Sequence, residues 1–216
     1  MYKKDAPKSV VKRLPVYLRI LDNLIKRDVE IISSKALSEE TGFTAEQIRK
    51  DFAYFGAFGT RGTGYNTTYL RDTILRIIGL DRQTNTVVIG AGHLGKALTR
   101  YNVTKNPYVR IVGVFDIDNT VLGEDIVHVK VRHLNEMPAV IKKYNVKVAI
   151  ISVPAPGAQE VVDILVDNGI KAILNFAPTK LKAPKDVYIH NADLTIELQS
   201  LIYYSSTDEE TEEAGD

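Results

Sequence analysis

Gly90, Gly92, Gly95 and Asp116 stand at a spacing that suits one kind of chemistry, the holding of a dinucleotide. The glycines lie in Thr86-Val-Val-Ile-Gly-Ala-Gly-His-Leu-Gly95, an apolar run that ends in Gly-x-Gly-x-x-Gly. In that pattern the first glycine permits a tight turn and the second lets the backbone approach a pyrophosphate. The third allows close helix–strand packing, and the helix N-terminus faces the anion. Ala91, His93 and Leu94 complete the loop. Asp116 comes 26 residues after Gly90 and closes a second apolar run, Val109-Arg-Ile-Val-Gly-Val-Phe115. A carboxylate there accepts hydrogen bonds from ribose hydroxyls and repels a 2′-phosphate, which favours NAD(H) over NADP(H). Asp118 is the alternative carboxylate, and an acidic strand-end turn is the plainer one.

A second group of residues points to a different anion. Thr44-Ala-Glu-Gln47 fits a capping box and opens a helix. Ala45, Ile48, Phe52 and Phe55 fall on one face of that helix; Gln47, Lys50 and Tyr54 point away, with Arg49 on the flank. Long donors on the second helix of a pair are what major-groove reading and phosphate clamping require. A solvated helix face is the ordinary alternative. Phe58-Gly-Thr-Arg-Gly-Thr-Gly-Tyr65 then sets three glycines around Arg61, a composition for a tight hairpin whose tip could enter a minor groove, with a plain hairpin turn as the ordinary alternative.

The elements that would position these donors precede and follow them. Pro15 sits where a first helix can begin, with Val16, Leu18, Ile20, Leu21, Leu24 and Ile25 at mostly helical spacing. A second helix is expected after Ser33 or Ser34, ending at Gly42. The turn Thr41-Gly-Phe-Thr44 joins it to the third as a helix-turn-helix. With the hairpin this makes a winged helix. Thr67 or Thr68 can cap a fourth helix, striped by Leu70, Ile74, Ile77 and Ile78, and residues 79–85 read as a linker.

Charge agrees with that division. Residues 1–80 carry 14 Lys and Arg against 9 Asp and Glu, and residues 81–216 carry 14 against 18. A positive front suits an anionic partner. The chain has no cysteine, which excludes disulfides, thiol nucleophiles and Cys-ligated zinc. No apolar run approaches a membrane span and no signal peptide opens the chain, so the cytoplasm is the expected location.

After Asp116 the strand–helix alternation continues: a helix over 136–144, a strand over 146–153, a loop over 154–159 and a helix ending near Gly169. The strand 172–174 and the loop 175–178 follow. Alternation of this kind implies a mostly parallel, doubly wound sheet of Rossmann type with ligand at the carboxyl ends of its strands. Both loops are therefore expected to border the cofactor, with Pro154 and Ala155 as contacts. Asp193-Leu-Thr-Ile-Glu-Leu-Gln-Ser-Leu-Ile202 reads as an amphipathic helix that needs a surface to cover, on its own domain or another subunit. The six carboxylates of 208–216 read as an acidic, disordered tail. The expected organisation is 1–80 winged helix, 81–192 nucleotide domain, 193–206 terminal helix and 207–216 tail. No metal-ligating set is evident. Catalysis has little support: His93 lies in the glycine loop, and His128, His133 and His190 have no evident carboxylate partner.

In this order the pieces resemble the Rex family of redox-sensing transcriptional repressors, over nearly the whole chain. The distinctive segments are Arg13-Leu-Pro-Val-Tyr-Leu-Arg19, Gln47-Ile-Arg-Lys-Asp51 with 58–65, the glycine loop, and Gly169-Ile-Lys-Ala-Ile-Leu-Asn-Phe-Ala-Pro178. The resemblance implies a homodimer with exchanged C-terminal helices, a palindromic double-stranded operator, and release from DNA when NADH replaces NAD+. It implies DNA contacts at Arg49, Lys50 and Arg61. It implies cofactor contacts at Gly90–Gly95, Asp116 and 154–159, and an interdomain switch at Arg19, Tyr101 and Asp193. The rival readings are a small NAD-dependent oxidoreductase and a CoA-binding module.

Overall fold

The computed structural model describes residues 6–56, 58–60 and 62–207. The chain forms two compact units that divide between Arg82 and Gln83.

The first unit opens with α1, Lys8–Lys26, and carries Pro15 inside it. The helix therefore starts seven residues before the expected proline start. A proline within a helix removes one N–H, here the partner of the Val11 carbonyl. Val11 is itself exposed, and the buried stripe Val10, Leu14, Tyr17, Leu18, Leu21 and Leu24 runs on past the gap. The second helix, α2 (Ser34–Thr41), is capped by the Ser33 side chain, which accepts from the Ala36 N–H, and ends at Gly42 in left-handed conformation. Thr44 caps α3 (Ala45–Phe55) by accepting from the Gln47 N–H. Asn66, not a threonine, caps α4 (Thr67–Ile78), accepting from Tyr69 N–H. The Thr67 hydroxyl is drawn away to the Val29 carbonyl.

The hairpin is β2 (Gly59–Thr60) against β3 (Gly64–Asn66), antiparallel. A further strand, β1 (Ile31–Ile32), pairs with β3 on its other side and ties the wing to the helices. Two residues are too few to show an alternation, so this strand is silent in the sequence. Gly64 has φ +101°, and a Cβ there would lie 2.6 Å from the Ile32 carbonyl oxygen.

The second unit is a seven-stranded sheet. Its strands are β4 (Thr84–Ile89), β5 (Val109–Asp116), β6 (Asp125–Ile126), β7 (Val129–His133), β8 (Val148–Ile151), β9 (Ala172–Asn175) and β10 (Tyr188–Asn191). Their spatial order is β10-β9-β8-β4-β5-β7-β6, parallel except for the β6–β7 hairpin. Without β6 this is the doubly wound order 3-2-1-4-5-6 of dinucleotide folds, with its switch point between β4 and β8. Thr84 and Asn85, expected in the linker, already belong to β4.

Helices α5 (His93–Lys105), α6 (Met137–Tyr144) and α7 (Ala155–Asp167) complete the layers. One core cluster joins Val87, Ile89, Phe115, Ile141, Val162 and Leu165; the other joins Val88, Ile111, Val114, Val131 and Ile150. Alternate residues of β4 thus feed opposite faces of the sheet, as a strand buried on both sides requires.

The last helix, α8 (Leu194–Thr207), leaves Leu194, Ile196, Leu198, Leu201 and Ile202 each more than half exposed. No helix among the described residues is long and apolar enough to cross a membrane. The expected tail at 208–216 lies outside the described residues.

Candidate nucleotide cleft and nucleic-acid interface

The switch point between β4 and β8 holds the glycine loop. Gly90 N–H donates to the Phe115 carbonyl at 2.8 Å, and Ser152 N–H donates to the Ile89 carbonyl at 2.8 Å. Gly90 has φ +99°, and a Cβ on it would come within 2.7 Å of the Ser152 carbonyl oxygen. At Gly95 a Cβ would collide with the Gly90 carbonyl, so α5 seats directly on the loop. Gly92 is different: nothing lies within 4 Å of its notional Cβ. It precedes α5 without a side-chain cap, which leaves the first N–H groups of the helix without intrahelical partners. That is the arrangement that receives a phosphate.

Asp116 closes the other side. Its Oδ2 accepts from Ala91 N–H at 2.6 Å, and its Oδ1 accepts from the N–H groups of Ile117 (2.7 Å) and Asp118 (3.0 Å). A carboxylate offers about four acceptor sites, so capacity remains for a ligand hydroxyl. Asp118 instead turns to Thr120, taking bonds from its N–H and hydroxyl, and these hold its carboxyl below the usual range.

Around these residues runs a cleft of 710 Å³. Gly90, Gly92, Asp116 and Pro154 line it, while Ala91 is buried beneath and Gly95 packs the helix. His93 and Leu94 are exposed at the start of α5 and are not part of the lining. Ala155 is also absent from it, because 155–159 is not a loop but the first turns of α7. Pro156 fits there, since a proline in the first turn gives up no helical hydrogen bond. The α7 face presents Gly157, Glu160 and Val161 instead.

The loop 175–178 does not reach the lining either. Asn175 holds it against β10: its amide donates to the Ala177 carbonyl (3.0 Å) and to Asn191 Oδ1 (2.9 Å), and its oxygen accepts from Ala177 N–H. Ser152 and Glu160 were not anticipated. Ser152 follows the strand beside β4, which the switch-point rule could have located. Asp116, Asp118 and Glu160 make the cleft acidic, a poor setting for an extra phosphate on the adenosine ribose.

In the first unit, Arg49 and Lys50 are exposed on α3 and Gln47 and Tyr54 are half-buried. Arg49 Nη1 donates to Ser34 Oγ at 2.9 Å, bracing α3 against α2. Lys50 Nζ pairs with Glu46 at 2.7 Å, and that hydrogen bond holds the Glu46 carboxyl below its usual range. Both partners are well exposed, and such a pair opens readily to a competing phosphate. Arg49, Ala53, Phe58, Gly62 and Tyr65 line a 490 Å³ concavity between α3 and the wing. Arg61 lies outside the described residues.

Arg19 is exposed on α1, and Tyr101 is 62% exposed on α5. Asp193 caps α8, its Oδ1 accepting from Thr195 N–H at 3.0 Å and Ile196 N–H at 3.2 Å. Arg19 belongs to the first unit, Tyr101 and Asp193 to the second. Among the histidines, His133 Nδ1 accepts from the Asn135 N–H at 3.2 Å, which gives it a turn-capping role. No group of three or more metal-ligating side chains occurs among the described residues.

Two family models match the chain: "CoA binding domain" over residues 81–179 and "Putative DNA-binding protein N-terminus" over residues 5–53. The redox-sensing transcriptional repressor Rex of Natranaerobius thermophilus is 65% identical over 210 residues, 97% of this chain and 95% of that protein. Among solved structures, the repressor RSP in complex with NAD+ and operator DNA matches with a TM-score of 0.90 at 39% identity, covering 98% of each chain. RSP in complex with NADH matches with a TM-score of 0.85 at 37% identity, over 98% of this chain and 100% of that one.

Proposed function

The chain belongs to the Rex family of redox-sensing transcriptional repressors, and on that premise we propose how its own residues carry the work. It is a DNA-binding repressor that senses redox state through NADH and NAD+. In our reading the 710 Å³ cleft is the cofactor site. The pyrophosphate lies over Gly92 and the start of α5, and the adenosine ribose meets Asp116. The single observation that carries this is the pairing of an open Gly92 with a carboxylate tied to the same loop through Ala91. The site has room where the backbone must approach a phosphate and negative charge where a ribose phosphate must be refused.

DNA is held by the first unit, with Gln47, Arg49, Lys50 and Tyr54 on α3 and Arg61 on the wing. Arg49 and Lys50 exchange weak partners, Ser34 and Glu46, for the operator. The protein works as a homodimer on a palindromic site, in the cytoplasm, and α8 covers its exposed apolar side chains by exchange with the second copy. NADH shifts the dimer to a state of low operator affinity, with Arg19, Tyr101 and Asp193 as its switch residues. Regulation is the role this reading assigns, in keeping with the repressors the chain resembles.

The decisive experiment is a ligand-dependent melting series with NADH, NAD+, NADPH and CoA, run beside operator titrations. NADH and NAD+ should raise the melting temperature, NADPH and CoA far less, and NADH alone should lower operator affinity. Stabilisation by CoA as great as by NADH, without an effect on DNA, would favour a CoA-binding module.

A further inference from the structure

One face of α3 is fastened by something other than apolar packing. Asp51, the residue after Lys50, is only 2% exposed. Arg13 of α1 grips its carboxylate with a two-pronged fork, Nε to Oδ2 and Nη2 to Oδ1, both at 2.6 Å. The Tyr17 hydroxyl donates to Oδ2 at 2.7 Å. Aromatic edges close the pocket: the Tyr17 ring lies 5.0 Å from Phe52 and 5.6 Å from Phe43, and the Arg13 guanidinium lies 5.9 Å from the Phe43 centroid. Burial, reinforced by the Asp51 carboxylate, pushes the Tyr17 phenol above its ordinary range and keeps it a donor.

We propose that Arg13, Tyr17 and Asp51 are positioning residues for operator recognition, a clamp that fixes the rotation of α3 on α1 and so the aim of Gln47 and Lys50. The proposal rests on the reading of α3 as the DNA-facing helix. Three arguments support it. First, a buried ion pair contributes little to net stability compared with apolar residues of like size, and its best-attested use is to select one arrangement over others. Second, the backbone of α1 runs close along α4 and only sparsely along α3, so the contact between α1 and α3 rests on a few side chains, with the clamp beside the Tyr17–Phe52 ring contact. A planar guanidinium on a planar carboxylate fixes both separation and orientation. Third, Arg13 and Asp51 share one 390 Å³ depression with Gln47 and Lys50, so a change in the clamp is felt directly beside the groove-facing donors. Base edges are read through short, directional hydrogen bonds, whereas phosphates tolerate a shifted lysine. A loosened clamp should therefore cost specificity before it costs general DNA affinity.

The test uses Arg13→Lys, which keeps the charge and loses the fork, and Tyr17→Phe, which keeps the ring and loses one donor. Operator and random-duplex affinities are measured at one salt concentration, with melting curves and NADH affinity alongside. Arg13→Lys should lower the operator-to-random affinity ratio about tenfold, within the range that one misread base pair produces, and Tyr17→Phe about threefold, somewhat below it. NADH affinity should stay unchanged in both. A folded variant with an unchanged ratio, or with both affinities reduced in parallel, overturns the clamp. Should Arg13→Lys fail to fold, Tyr17→Phe decides alone by the same criterion. Lys50→Ala separates the premises: if it binds operator like the parent, the reading of α3 fails. If it weakens binding while the Arg13→Lys ratio holds, only the clamp fails.

Discussion

Asp116 and Ala91 are joined by a 2.6 Å hydrogen bond from the Ala91 N–H to Oδ2, so the acid at the end of β5 also tethers the glycine loop at the end of β4. The carboxylate thus has a task on the protein beside the one proposed for it on the ligand. The bond is charge-assisted and half-buried, the setting in which such bonds are worth about 1.5–3 kcal/mol.

Replacing Asp116 should therefore hurt in two ways. Asp116→Ala is expected to weaken NADH by about tenfold or more and to narrow the preference over NADPH. Asp116→Asn keeps an acceptor for Ala91 but loses the repulsion, so it should recover part of the NADH affinity while still admitting NADPH. Titration of both cofactors against both variants checks this. An unchanged NADH-to-NADPH ratio would move the selecting role to Asp118 or Glu160.

The glycines of the loop should separate packing from ligand approach. Gly95→Ala forces a methyl into the Gly90 carbonyl and should destabilise the second unit by about 1–3 kcal/mol or more. Gly92→Ala meets open space and an ordinary negative φ of −69°, so melting should be unaffected. Its methyl would stand where a pyrophosphate must approach, and NADH affinity should fall steeply. Equal NADH affinity in Gly92→Ala and the parent would remove the phosphate from that position.

On α3, Arg49→Ala and Lys50→Ala should each cost about 1–3 kcal/mol of operator affinity where the side chain reads a base. Where it meets a phosphate, the loss should be uniform across sequences and the salt slope should drop by about one. Arg49→Ala also cuts the bond to Ser34, so Ser34→Ala is the control. A Ser34→Ala defect as large as that of Arg49→Ala would assign Arg49 a bracing role.

Much of this was legible because strong local signals coincide with the site. The glycine loop and Asp116 declare themselves by spacing, and Ser33, Gly42 and Thr44 mark the helix-turn-helix through caps. What stayed hidden is mostly non-local. Asp51 reads as another solvated charge until Arg13 and Tyr17, more than 30 residues away, are folded onto it. Ser152 and Glu160 enter the cleft through strand order and helix phase, which no short window contains. The segment 154–159 misleads because two prolines suggest a loop, although both are tolerated where α7 begins. The loop 175–178 misleads for a different reason, since Asn175 ties it to β10.

Arg19 and Asp193 offer a test of the proposed switch. Arg19 has no hydrogen bond or ion pair with any described residue, while Asp193 is already engaged as the cap of α8. If the two meet in one state of the dimer, Arg19→Ala and Asp193→Asn should each change the effect of NADH on operator binding. The double variant should then depart from additivity by about 0.5–3 kcal/mol. Asp193→Asn keeps a capping oxygen, which limits loss of α8 itself. Strict additivity would argue against direct pairing.

The broadest prediction concerns linkage. The cofactor contacts proposed above gather at Gly90, Gly92, Asp116 and 152–161, all in the second unit, whereas the residues proposed to face DNA lie on α3 and the wing in the first. Two ligands on separate units can oppose each other only through states that bind them differently. A coupling of about 1–3 kcal/mol would change operator affinity roughly 5–150-fold when NADH binds. Thermodynamic reciprocity then requires saturating operator to weaken NADH by the same factor. NAD+ should couple far less, because its planar, charged nicotinamide should favour the state of low operator affinity less. The measurement is NADH affinity with and without operator at one fixed salt concentration, since DNA binding itself falls steeply with salt. Equal affinities in the two titrations would mean that NADH and DNA occupy this chain independently. The switch would then have to lie elsewhere than in a two-state dimer.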